Sequence, residues 1–193
     1  MKKYLTELLG AFLLTLVVSL SLAGKFPVPT PVLAALTLGL FVYTAGHISG
    51  AHINPAVTVG VWSLGKMKPK DAVSYIIAQF IGAGLAMLLA GYFMTAPVLT
   101  VVDTLPVVIA EFLGTFFFTF GIAAVVLGKV PTDAAGITIG GSLLLGLSIA
   151  AVASNAVINP AVALGIGSFS VTYLIAPVVG SLVGMQVCKW LSK

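Results

Sequence analysis

The chain has 193 residues, 60% of them hydrophobic and 7% charged, with nine lysines, five acids and a net charge of +4. A soluble domain carries about 25% charged residues, so this composition excludes a water-facing globule. Lysines scattered singly or in threes, with no arginine anywhere, do not make a nucleic-acid footprint.

The first segment, 4–23, has the basic start and apolar middle of a signal peptide, but Glu7 interrupts its apolar run and a counterpart of it recurs later. It is therefore expected to stay as a first membrane helix. Five further spans follow at 31–48, 70–93, 105–128, 134–152 and 170–190, each near the roughly 20 residues that cross a ~30 Å hydrocarbon layer. Proline, glycine and charge mark the breaks, as in "GKFPVPTP" (24–31), "LGKMKPKD" (64–71) and "GKVPTD" (128–133). With the N-terminus inside, Lys2, Lys3, Lys66, Lys68, Lys70, Lys129, Lys189 and Lys193 all fall on the cytoplasmic side and only Lys25 outside, which fixes the orientation. Cys188 stands alone, so no intrachain disulfide is expected.

The halves resemble each other. "TELLGAFLLT" (6–15) matches "AEFLGTFFFT" (110–119), pairing Glu7 with Glu111, and "INPAVTVG" (53–60) matches "INPAVALG" (158–165) at six of eight positions. Three spans per half is odd, so the second copy enters the membrane from the opposite side. That inverted repeat suits channels and transporters with a site near the midplane. One channel domain over 1–193 is expected, its repeats covering 1–95 and 104–193.

Between the second and third spans, and again between the fifth and sixth, lies an Asn-Pro pair. Asparagine is among the best residues for capping a helix N-terminus, and proline suits the first helical position because its missing N–H has no partner there. Asn54-Pro55 and Asn159-Pro160 therefore each start a helix, the first about ten residues long, or roughly 15 Å and half a bilayer. Two such half-helices would meet tip to tip with their positive ends at the centre. Carbonyls of Gly50, Ala51, His52 and Ile53, and of Asn155, Ala156, Val157 and Ile158, would lead to that point as acceptors. A neutral hydrogen-bonding molecule can climb such a ladder, whereas a cation meets a barrier at the middle.

With "GHISGAHINPAVTVG" and the second "INPAV" in place, the whole chain resembles the aquaporin, or major intrinsic protein, family. The resemblance implies an all-α right-handed bundle of six spanning helices plus two re-entrant half-helices, assembled as a homotetramer in membrane lipid. It also implies a passive channel for water or another small neutral permeant, without cofactor, metal or nucleic acid. Asn54 and Asn159 match the central donors, while Pro55, Ala56, Pro160 and Ala161 match the residues that lock the half-helix ends. Glu7 and Glu111 match buried acids that support the loops. A plasma-membrane location with both termini cytoplasmic is expected.

The chain departs from the family where typical members place arginine after the second box: here the residue is Val162. The other constriction positions fall on Ala34, Leu147 and Ala156. The constriction is then uncharged, wider where a ring is replaced by a methyl, and dry-walled. Small residues at four-residue spacing, Ala78, Gly82, Ala86 and Ala90 in the third span and Ala176, Gly180 and Gly184 in the sixth, suit close helix packing. His47 and His52, with no carboxylate or thiol beside them, are read as structural or pore-lining. Alternatives to the channel are a secondary transporter and a closed-pore structural protein. No nucleophile–base set suggests an enzyme.

Overall fold

A computed structural model describes residues 1–95 and 97–193. Among the described residues six helices are long and apolar enough to cross a membrane: α1 (Lys2–Leu22), α2 (Thr30–Ser49), α4 (Pro69–Phe93), α5 (Leu105–Val126), α6 (Ala135–Ala150, entered through a 3-10 turn Thr132–Ala134) and α8 (Val171–Leu191). Two short helices, α3 (Pro55–Ser63) and α7 (Pro160–Gly165), begin at the asparagine boxes. At 1.5 Å per residue their nine and six residues reach about 14 and 9 Å, well short of a span.

Turn chemistry sets the helix ends. α1 and α5 both finish at a left-handed glycine, Gly24 (φ 70°) and Gly128 (φ 71°), 104 positions apart. In each, the next lysine's N–H reaches back to a carbonyl of the last turn, Lys25 to Leu20 and Lys129 to Ala124. That six-residue closure is the glycine-terminated helix end, and it satisfies carbonyls that would otherwise be bare.

Packing follows the repeat. α1 lies against α4 and α2, α5 against α8 and α6, and the α2–α6 seam joins the halves. Each half-helix crosses over: α3 packs on α8, and α7 on α4 and α1. The small residues read from the sequence sit in these seams. A Cβ on Gly82 would collide with the Leu8 carbonyl of α1, and one on Gly180 with the Phe112 carbonyl of α5. Backbone meets backbone there, which only glycine permits. In hydrocarbon no hydrophobic effect drives helices together, so such close contact supplies the association.

Candidate functional site

Both boxes fold locally for the reason the sequence gives. Asn54 and Asn159 are extended, and each caps its helix through Oδ1, which accepts from the Ala56 N–H at 2.8 Å and from the Ala161 N–H at 3.0 Å. The amide nitrogens then cross between halves. Asn54 Nδ2 donates to the Ile158 carbonyl at 3.0 Å, and Asn159 Nδ2 donates to the Ile53 carbonyl at 3.1 Å. An amide nitrogen carries two protons. One on each asparagine is thus committed to the opposite loop, and one remains. Pro55, Ala56, Pro160 and Ala161 are buried around this contact.

The loops that bring the boxes inward are unusual in backbone. Ala51, Ile53, Ala156 and Ile158 all have φ between 42° and 52°, a left-handed region that β-branched residues avoid. Such conformations cost on the order of 1–3 kcal/mol each and persist only where surroundings enforce them. Two buried carboxylates enforce them here. Glu7 accepts from the N–H groups of His52 (2.9 Å) and Ile53 (2.6 Å), and from Ser49 Oγ (2.6 Å) and Gln79 Nε2 (2.8 Å). Glu111 accepts from the N–H groups of Val157 (3.0 Å) and Ile158 (2.7 Å), and from Ser154 Oγ (2.6 Å). Hydrogen bonds to a charged acceptor are worth about 1.5–3 kcal/mol each, enough to offset the strain.

With the N–H groups held by the acids, no donor among the described residues meets the carbonyls of Gly50, Ala51, His52, Asn155, Ala156 or Val157. Ile53 and Ile158 differ from the other six. Their carbonyls already accept from the crossed asparagines, so they close the contact at the centre before they serve a solute.

The halves are not chemically equal. In the first, Gln79 Nε2 bridges Glu7 and the Thr58 hydroxyl (2.9 Å), which in turn lies 3.2 Å from His52 Nδ1. Tyr75 packs edge-on against His52 and donates to the Ser49 carbonyl at 2.8 Å. In the second half Tyr173 accepts the Asn155 N–H at 2.9 Å, while Pro177 and Ala163 stand where Gln79 and Thr58 would be. Sequence reading missed this polar cluster. Ser49 and Ser154 were findable, since both precede their box asparagine by five positions. Gln79 and Tyr75 belong to another helix, and no local pattern announces them.

One cavity of about 260 Å³ reaches the asparagine pair. Ala34, Leu147, Ala156 and Val162, the positions expected to form the constriction, all border it. So do Leu14, Val18 and Leu22 of α1, Leu38 of α2, Phe118 of α5 and Leu143 of α6, none of which the sequence assigned to a pore wall; Phe118 reads from the sequence as a lipid-facing or packing residue. Six of its 21 lining residues are polar and none is charged. His52 lies on the wall, whereas His47 is exposed at the end of α2. Outside the membrane-spanning segments, Asp103 accepts from the Ser170 hydroxyl (2.6 Å) and the Thr172 N–H (3.2 Å), which cap α8 and hold its carboxyl below the usual range.

Comparison with known proteins agrees with this geometry. A family profile described as "Major intrinsic protein" matches residues 1–188. "Aquaporin NIP1-1" of Arabidopsis thaliana is 33% identical over 217 residues, covering 97% of this chain and 72% of that protein. "Aquaporin Z" of Bradyrhizobium diazoefficiens is 29% identical, covering 100% of this chain and 94% of that one. Among solved structures, an aquaglyceroporin from Plasmodium falciparum superposes with a TM-score of 0.67 at 18% identity, covering 100% of this chain and 95% of that one.

Proposed function

Because this chain belongs to the major intrinsic protein family, and so is a channel for water or small uncharged solutes, we propose that solutes cross it along the two carbonyl ladders and past the asparagine pair. The constriction on that route is apolar and arginine-free, formed by Ala34, Leu147, Ala156 and Val162. The single observation that carries this reading is the crossed asparagine contact, set at the end of two acceptor ladders beside a cavity with no charged wall residue.

The chemistry follows from solvation. A neutral molecule leaving water trades its hydrogen bonds for carbonyls and then for the remaining amide protons. A cation loses its hydration shell and meets two helix N-termini with their partial positive charge. The apolar constriction adds no fixed charge to that barrier, and its narrow requirement is size rather than a matched hydrogen-bond pattern. A homotetramer with one passage per subunit, a plasma-membrane location and cytoplasmic termini complete the proposal, as does one domain of inverted halves, 1–95 and 104–193.

Stopped-flow light scattering on proteoliposomes tests it. Protein-containing vesicles are expected to shrink and reswell faster than empty ones in water, glycerol or urea gradients, irrespective of ion gradients. Vesicles that match empty ones for every solute would remove the channel assignment. A rate that follows an ion or proton gradient would favour coupled transport instead.

A further inference from the structure

We propose that the side chain of Asn155 is a specificity-determining group at the outer mouth, where its Oδ1 adds a side-chain acceptor to the carbonyls of its own loop. The proposal deepens the channel reading above and rests on it. Asn155 borders the cavity and is half-buried. Both protons of its Nδ2 are spent: one on the Thr100 carbonyl at 3.0 Å, the other on Ser168 Oγ at 2.8 Å. The opposite orientation of the amide would set its oxygen against the Thr100 carbonyl, so the bonds fix which end faces away. What remains is Oδ1, which meets no donor among the described residues and is not among the enclosed unpaired atoms. The group the side chain leaves for an entering solute is an acceptor.

The other donors of this loop are consumed as well. The N–H of Asn155 goes to Tyr173 Oη, that of Ala156 to Ser154 Oγ (2.9 Å), and those of Val157 and Ile158 to Glu111. Ser154 donates its own proton to Glu111, and the Val162 N–H points to Asn159 Oδ1 at 3.3 Å. At the rim, Thr30 Oγ1 lies 2.8 Å from Ser21 Oγ, and either hydroxyl can be the donor. No arginine or lysine borders the cavity. From Asn155 inward, loop carbonyls and Oδ1 accept. A solute without donors loses its hydration there and gains nothing from them. Asn155 Oδ1 therefore favours solutes that bring O–H or N–H donors over solutes of similar size that bring none.

The test compares glycerol, rich in O–H donors, with dimethyl sulfoxide, of similar size and an acceptor only. Fluxes into proteoliposomes of the full chain are read by light scattering, with protein-free vesicles subtracted. The wild type is expected to conduct glycerol well above dimethyl sulfoxide. The ratio should fall about fivefold in Asn155→Ala and Asn155→Leu, equivalent to ~1 kcal/mol. Ser168→Ala removes one bond of the brace but leaves the Thr100 bond and Oδ1 in place, so its ratio should stay within roughly twofold of wild type. Equal wild-type fluxes of the two solutes would overturn the assignment. So would a Ser168→Ala ratio as low as that of Asn155→Ala, because the residue would then act only as a brace. Absence of protein-dependent flux for water and both solutes would instead overturn the channel reading itself.

Discussion

Val162 occupies the first turn of α7 and is buried at the cavity wall. Val162→Arg places a long cation there and should lower glycerol entry relative to water by roughly tenfold, or ~1.4 kcal/mol in barrier. An unchanged or raised glycerol-to-water ratio would take Val162 out of the lumen. The carboxylates invite a sharper comparison. Glu7→Gln and Glu111→Gln keep the volume but turn one oxygen into a donor facing an N–H group, so each should cost about 2 kcal/mol or more of stability. Gln79→Leu leaves Glu7 with the same three kinds of donor that Glu111 has, and should cost less, about 1 kcal/mol. Thermal unfolding in detergent ranks the three; a Gln79→Leu protein as unstable as Glu7→Gln would mean that the amide bridge, not the loop N–H set, holds the acid. Glu7 and Glu111 were legible as a pair because "TELLGAFLLT" and "AEFLGTFFFT" repeat, and Val162 because it follows the second box; their roles came from the family resemblance alone. Phe118 and Leu143 were not, since a lumen wall and a lipid-facing flank use the same apolar letters.

At the scale of helices, the close seams set what each position tolerates. Gly82 and Gly84 lie two residues apart on α4, yet a Cβ on Gly82 strikes the Leu8 backbone whereas one on Gly84 meets nothing within 4 Å. Gly82→Ala should therefore destabilise by about 1–3 kcal/mol as the helices are forced apart. Gly84→Ala should be neutral or stabilising by up to ~1 kcal/mol, because alanine is the better helix former. Equal unfolding temperatures for the two would show that the α1–α4 seam yields easily. The stripe of small residues gave away that α4 packs closely, but not against what: the partner backbone is 70 or more positions away. The half-helices were legible from local capping chemistry alone. Their strained approaches were not, because nothing in "HISGAHI" (47–53) or "VASNAVI" (152–158) says that four non-glycine residues turn left-handed; the distant carboxylates impose it.

For the molecule as a whole, the spans followed from composition, and their order from an odd number of helices per half. Orientation is a prediction of its own. In a Cys188→Ser background, Lys25→Cys should react with an impermeant thiol reagent added outside intact cells, and Lys129→Cys only after permeabilisation; the reverse pattern would invert the proposed topology. The first half also carries a polar cluster, Gln79, Thr58 and His52, that the second lacks, so the passage is symmetric in backbone and asymmetric in side chains. The crossed asparagines have a further consequence, in time rather than space. Asn54 needs the Ile158 carbonyl, and Ile53 needs Asn159, about a hundred residues of synthesis later. While the ribosome makes that second stretch, the first box has a donor and an acceptor unmet. The newborn first half is thus an unfinished lock, and truncation anywhere before residue 159 should leave it a substrate for membrane proteolysis.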